Sequence, residues 1–341
     1  MTSRRFAGAI SVAMTLGCAL APTAQAQEAA FYKDKVVSLM VGFPPGGGYD
    51  SYARVVSRHM SRHMPGEPRI IVQNMPGAGS LNLANHIYSA APKDGTVIGS
   101  IEAGIPFEYY YEGKGVRFDP TKFTWIGGLN REVTTCQVWS ASPIQTFKDL
   151  FAREGNFGGT GSGAPPIVEA NVLREVLGAK IKLIPGYPGL PDIYGAMERQ
   201  ELDGACGVNW SSIISVRPQW VAEKKVRTLV QIAAARHPDL PDAPLVTDFA
   251  RSPEERQILE LLVLPNEIGR PYVAPPDVPP ARARALREAF AATLRDEAFL
   301  AEAKRANLPI DPVASGTIED AMRRAAALPP DVVKRMARAR M

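Results

Sequence analysis

What this chain has little of narrows its chemistry before any motif is read. Only four histidines and three cysteines occur in 341 residues. No Gly-x-Ser-x-Gly elbow is present, and His86 and His237 have no nucleophile partner recognisable in the sequence. His59 and His63 have the spacing of helical metal ligands, yet the stretch between them lacks the glutamate of a zinc hydrolase, and Arg62 disfavours a cation. A solvated helix face is expected there. Gly159-x-Gly161-x-Gly163 is a poor dinucleotide fingerprint, and no phosphate-loop lysine follows it. No acid–base–nucleophile set emerges, so no enzyme, metal or cofactor is expected. Charge of one sign is missing too: 39 basic and 35 acidic residues leave a net +4, too weak a field for a nucleic-acid partner. No segment reaches the run of about 18 apolar residues that spans a bilayer.

The first 26 residues read as an export signal. Arg4 and Arg5 are its basic start, Ile10 to Leu20 its apolar stretch, and Ala24-Gln25-Ala26 a small-x-small site predicting cleavage after Ala26. A lipid anchor at Cys18 competes, but Thr15 stands where such signals carry an aliphatic residue. The expected product is exported, periplasmic and monomeric. Its two remaining cysteines, Cys136 and Cys206, lie in strand-like contexts in an oxidising compartment, where a disulfide is expected, the alternative being two buried thiols. The Arg-rich C-terminus (Arg335, Arg338, Arg340) reads as a solvated helix end.

Strand and helix patterns alternate along the chain, which argues for an α/β sheet architecture. Apolar runs at Val36 to Val41, Ile70 to Val72 and Thr96 to Ile101 read as strands of a first unit. A second unit follows from Val133, with strands at Ile181 to Ile184, Asp203 to Val208 and Val226 to Ala233 and helices at Thr146 to Arg153, about Pro166 to Leu177 and Asp192 to Gln200. Helical spacing returns from Glu254 to Leu262, and Pro271 to Pro280 reads as extended. The last helices hold too few strands for a domain of their own. The expected division is therefore residues 32–132 plus 265–341 as one lobe and 133–264 as the other, with a cleft between.

Glycine turns mark that cleft. Phe43-Pro44-Pro45-Gly46-Gly47-Gly48-Tyr49-Asp50 and Asn74-Met75-Pro76-Gly77-Ala78-Gly79-Ser80 each follow a strand and open a helix. Such a junction brings unpaired N–H groups and the positive end of a helix dipole to one point, which suits an anion. The second unit repeats the device at Gly158 to Gly163 and at Pro185-Gly186-Tyr187-Pro188-Gly189, the latter with Asp192 as the expected N-cap. Four junctions at the carboxyl ends of strands, two per lobe, form the candidate site. Tyr49, Trp139, Tyr187 and Trp210 flank it.

These residues also carry a family resemblance. Val41-Gly42-Phe43-Pro44-Pro45-Gly46-Gly47, with Asp50 and Arg54, resembles the opening signature of the Bug, or tripartite tricarboxylate transporter, solute receptors. Asn74-Met75-Pro76-Gly77-Ala78-Gly79, followed by Ala91-Pro92-Lys93-Asp94-Gly95, is similar to their second signature. Pro185 to Gly189 and Ala274-Pro275-Pro276 resemble later ones. The resemblance implies an α/β fold of the periplasmic binding protein type II kind, two lobes closing on a small organic acid, and membrane permease subunits as partners. The alternative output is presentation of the ligand to a membrane sensor kinase. It implies that backbone amides hold the acid, with no arginine clamp. Expected contacts are Pro45, Gly46, Gly47, Tyr49, Gly77, Ala78, Gly79 and Ser80 from one side and Thr160, Ser162, Tyr187 and Gly189 from the other. Asp50 is expected to cap its helix, or else to hold an amine or hydroxyl of the ligand. Tyr49 stands where the family usually has a small hydroxyl residue, Ser80 where glycine is common, and Thr96 where tyrosine is usual.

Overall fold

The computed structural model describes residues 24–161 and 163–341. The expected leader falls outside the described residues, except that Ala24 to Ala26 open a helix Ala24–Tyr32. Eleven strands follow among the described residues: β1 Val36–Val41, β2 Arg69–Asn74, β3 Val97–Ser100, β4 Thr124–Gly128, β5 Thr134–Trp139, β6 Gly155–Gly158, β7 Ile181–Ile184, β8 Gly204–Asn209, β9 Val226–Ile232, β10 Pro271–Ala274 and β11 Val313–Ala314.

They divide into two sheets. The first has the order β11-β4-β10-β3-β1-β2, the second β7-β6-β8-β5-β9. β1 lies parallel between β2 and β3, pairing Val37 with Ile70 and Leu39 with Ile98. A strand covered on both faces reads as a nearly continuous apolar run, and Val-Val-Ser-Leu-Met-Val supplies that with Ser38 as its one polar residue. β10 returns antiparallel between β3 and β4 after the chain has built the whole second sheet. The molecule is therefore an α/β protein of two lobes, joined by two chain crossings that run side by side. At the crossings Leu129 N–H donates to Arg270 O (3.1 Å) and Glu132 N–H to Asn266 O (3.1 Å).

One core lies between the first sheet and the helices Gly48–Met60 and Pro280–Thr293, including Tyr52, Val56, Leu286 and Phe290. A second runs from the sheet's other face into the second lobe. The helix Pro253–Ile268 continues through Pro265, past the expected end at Leu262. The C-terminal helix Pro330–Ala339 packs on it and on Pro165–Leu177 by burying Val332, Met336 and Ala339. Its end is not solvated throughout: Arg340 is buried against Glu108, and Asn171 Nδ2 donates to Arg340 O (2.9 Å). A buried carboxyl needs a countercharge, and this arginine supplies it.

Other expectations shift for local reasons. β6, Gly155-Asn156-Phe157-Gly158, is too short and glycine-rich to read as a strand; it forms because it pairs in parallel with β7. The helix expected over Thr146 to Arg153 is only Asp149–Ala152, where Asp149 accepts the N–H groups of Gln145 and Thr146. The helix expected from Asp192 is Leu190–Glu198, with Gly189 at its N-cap and Asp192 inside the first turn. His59 and His63 do not face free solvent: His59 Nε2 meets Glu302 (2.6 Å) and His63 Nε2 meets Asp296 (2.9 Å).

Cys136 on β5 and Cys206 on the neighbouring β8 are disulfide-bonded and buried. Thiol titration of the denatured, unreduced mature protein should detect almost no free thiol. Replacing both cysteines by alanine should cost about 4 kcal/mol of stability for a loop of this length, and two titratable thiols per chain would refute the bond.

Candidate functional site

The first glycine turn ends in an unpartnered helix start. Gly47 is the N-cap of Gly48–Met60, in extended conformation and with no side-chain cap. The N–H groups of the first turn therefore have no intrahelical acceptor. Gly48 is required here: a Cβ at this position would strike the Ser212 hydroxyl and lie 3.2 Å from Arg270 Nη2.

Asp50 does not face the opening. Its carboxylate accepts Gly46 N–H (3.0 Å), Arg54 Nε (2.8 Å) and Asn74 Nδ2 (3.0 Å), locking the first turn to the end of β2. Burial pushes its carboxyl up, but these bonds outweigh it and hold the group below the usual carboxylate range. Gly46 N–H is thereby used inside the turn, and Pro45 and Gly46 are exposed on its outer side.

The second turn closes the cleft instead of lining its floor. Gly77, Ala78, Gly79 and Ser80 all have positive φ (137, 47, 63 and 83°). Ser80 points inward, where its hydroxyl accepts Glu102 N–H (3.2 Å). Across the cleft, a Cβ on Gly161 would fall on the backbone of Ala78 and Gly79, and one on Gly79 would collide with Ala164. On the other flank a Cβ at Gly189 would lie 2.8 Å from Pro44 Cγ. The two lobes thus touch through residues without side chains. Gly161→Ala should hold them apart and weaken ligand binding about 10- to 100-fold with little change in thermal stability. Titration calorimetry beside a melting curve checks this, and unchanged affinity would show that closure does not use this contact.

Between the lobes lies a cavity of about 490 Å³, counting space open to solvent. Its first-lobe wall is Phe43, Pro44, Gly47, Gly48, Tyr49 and Glu102. Its second-lobe wall is Thr160, Pro165, Pro166, Gly189 to Pro191, Gly207, Asn209 and Ser212. The second-lobe helix Pro165–Leu177 does not repeat the anion device of the first lobe. Pro165 and Pro166 occupy the first two helical positions and carry no N–H, and the N–H groups of Ile167 and Val168 both return to Ala164 O (3.0 Å each).

Behind Gly48 lies the charge that the early turns lack. Arg270, fully buried, donates Nε to Glu132 (2.6 Å) and Nη2 to Ser211 and Ser212 (2.8 Å each), with its guanidinium 4.5 Å from the Tyr49 ring centroid and 4.7 Å from that of Tyr52. Desolvation pulls its pKa down, and Glu132 together with Tyr49 and Tyr52 more than restores it. Ser212 Oγ accepts from Arg270, so its own hydrogen is free for an acceptor in the cavity.

Tyr49 both packs and lines. Its hydroxyl accepts Ala103 N–H (3.3 Å), its ring lies beside Phe43 (5.0 Å), and burial pushes its pKa well up. Beside it Glu102, 3 % exposed, accepts Gly104 N–H at Oε2 (2.7 Å). Thr160 is 8 % exposed, and its Oγ1 has no partner.

Of the residues expected at the site, Gly47, Tyr49, Thr160 and Gly189 line the cavity. Gly77 to Ser80 form the closing lip, and Tyr187, half-buried, packs against the second-lobe core that includes Ile193, Tyr194 and Trp210. Ser162 lies outside the described residues. Glu102, Asn209 and Ser212 were not foreseen. Glu102 follows the end of β3, so the rule that ligands bind beyond the carboxyl ends of strands would have flagged it.

Two α/β lobes hinged by paired crossings and closing on a mostly apolar cavity define a solute-binding receptor. The family described as "Tripartite tricarboxylate transporter family receptor" matches residues 52–326, and the chain belongs to it. It is 28% identical over 270 residues to an Agrobacterium vitis protein of the ttuE-ttuC' intergenic region, covering 76% of this chain and 74% of that one. A Pseudomonas protein of the tcbD-tcbE intergenic region is 24% identical over 73% of this chain and 72% of its own. In fold it resembles the periplasmic binding protein BugD (TM-score 0.71, 20% identity, 90% of this chain and 98% of that one). It also resembles MatC of Rhodopseudomonas palustris with bound malate (TM-score 0.69, 18% identity, 88% and 99%) and an R. palustris protein with adipate (TM-score 0.69, 19% identity, 89% and 97%). The family and these neighbours are solute-binding proteins. Among the described residues, no helix is long and apolar enough to cross a membrane, and no cluster of three metal-ligand residues occurs.

Proposed function

We propose that this chain is a periplasmic receptor, exported by cleavage after Ala26, that captures a small organic acid as a monomer and delivers it to the membrane subunits of a tripartite tricarboxylate transporter. Lobes of residues 32–132 plus 265–341 and of 133–264 close on the ligand. The observation that carries the reading is the uncapped helix start at Gly47–Tyr49, which lines the interlobe cavity together with Ser212, itself bonded to Arg270. A carboxylate there accepts amide hydrogens and the Ser212 hydroxyl, with the dipole of a helix of 13 residues behind it. Arg270 adds little net charge, because Glu132 neutralises it, but it orients the hydroxyl. Two fold neighbours hold malate and adipate, small dicarboxylates of the class proposed here.

The test is calorimetric titration of ligand-stripped protein with mono- and dicarboxylates of about three to six carbons. Micromolar or tighter binding of at least one acid, with a lower on-rate or affinity for Gly47→Val, is expected. Folded protein that binds none of them would defeat the proposal.

A further inference from the structure

A carboxylate receptor has no use for an unpaired carboxyl in its own cavity, and Glu102 is one. It lines the cavity, is almost fully buried, and accepts Gly104 N–H. The cations of its neighbourhood are ion-paired with other carboxylates, Arg270 with Glu132 and Arg340 with Glu108, each keeping one buried Nη1 without a partner. Thr160 Oγ1, also buried and also lining the cavity, has no partner. The acceptor end and the donor end are separated by the length of one side chain: the Tyr49 backbone belongs to the open helix start, while its hydroxyl accepts Ala103 N–H beside Glu102.

We propose that the ligand is a small acid that also carries a protonated nitrogen, with its carboxylate on the amides of Gly47 and Gly48 and its ammonium between Glu102 and Thr160. This rests on the carboxylate reading above. A neutral hydroxyl would also satisfy Glu102, but the local field favours a cation. Glu108 and Glu169 line an adjoining cavity that Glu102 also borders, and among these three carboxyls only Glu108 has a paired arginine. An ammonium brings several donors, enough for both the carboxyl and the unpartnered hydroxyl. Charge-assisted hydrogen bonds of this kind are the strong ones in a dry site.

The proposal has a proton signature. Burial pushes the Glu102 carboxyl up to about 8 against the pull of the Gly104 N–H, so the empty cavity holds it largely protonated at neutral pH. Tyr49 faces it from the first helix, Glu169 from Pro165–Leu177, and Glu108 and Arg270 act from further off. An arriving ammonium favours the carboxylate and expels the proton.

The experiment is titration calorimetry of ligand-stripped, full mature protein with paired probes: propanoate against alanine and β-alanine, and butanoate against γ-aminobutyrate. Each pair is run at pH 7 in two buffers of different ionisation enthalpy. The amine-bearing member of at least one pair should bind about 10- to 100-fold tighter and release a proton. Glu102→Gln should abolish both effects, while Glu169→Gln keeps the release. If the plain acids bind as well as the amino acids, or binding releases no proton from the unaltered protein, the inference falls and the acid-receptor reading stands. If no acid of either kind binds, both fall. The proton count needs no variant, so a Glu102→Gln protein that fails to fold leaves the test intact.

Discussion

Arg270→Met should destabilise the protein by about 3–5 kcal/mol, the cost of breaking a buried ion pair by removing one partner. Glu132 would be left with only neutral donors, the Ser211 hydroxyl at 2.6 Å and the Asn130 amide at 2.9 Å. Neither neutralises a carboxylate that is 7 % exposed. The loss reaches further than the pair. Glu132 sits on one chain crossing and Arg270 on the other, and Nη2 reaches Ser211 and Ser212 of the second lobe. The variant should therefore also loosen the hinge and lower ligand affinity. Combining it with Glu132→Gln removes the orphaned charge and should recover most of the stability, as expected when both members of a buried pair go together. Urea denaturation of the wild type, the two single variants and the double variant reads the coupling directly. A single-variant cost below about 1 kcal/mol would mean that water or another cation reaches Glu132.

The way Arg270 escaped the sequence reading is instructive about what a sequence holds. The paired turns, both lobes and the disulfide were legible because each has a local signal: glycines before a helix, alternating element types, and two cysteines left beyond the expected export signal. The return of the chain at β10 was legible only as an extended proline-rich stretch, since pairing with β3 and β4 depends on residues more than a hundred positions away. Arg270 therefore looked like any surface arginine. One second-lobe turn shows the opposite failure. Gly158 to Gly163 has the look of the first-lobe turns, but Pro165 and Pro166 remove the N–H groups that make a helix start an anion site. Glycine content marks where the backbone comes close; the identity of the next two residues decides what that closeness offers. Gly161 and Gly79 serve contact between lobes, whereas Gly47 caps a helix start at the cavity wall.

Stability of the empty protein should fall as pH rises from about 5 to about 8, and Glu169 should cause much of the fall. Glu169 projects from the helix Pro165–Leu177 and is 4 % exposed; Oε1 accepts the Thr134 hydroxyl (2.6 Å), while Oε2 has no partner. An unpartnered oxygen in a dry site is where a proton belongs. Burial pushes this carboxyl up to about 8, opposed by the Thr134 bond and, more weakly, by the nearby Gly207 N–H, and reinforced by Glu102. The folded state thus keeps a proton that the unfolded chain releases near its ordinary value of 4.5. Between those values the native state binds more protons than the unfolded one, so stability declines with rising pH, by about 1.4 kcal/mol per pH unit for each such group. Below about 4.5 the group contributes no slope, because both states hold the proton; above about 8 the slope vanishes again. Glu102, also pushed up to about 8, acts in the same direction. Glu169→Gln keeps the shape and the Thr134 bond and carries no charge at any pH. Its stability should be close to wild type at pH 5 and higher by a few kcal/mol at pH 8, with a visibly shallower slope between. Guanidinium denaturation at half-unit pH intervals measures this for both proteins. Parallel slopes would show that Glu169 ionises freely in the folded state, through water that reaches Oε2.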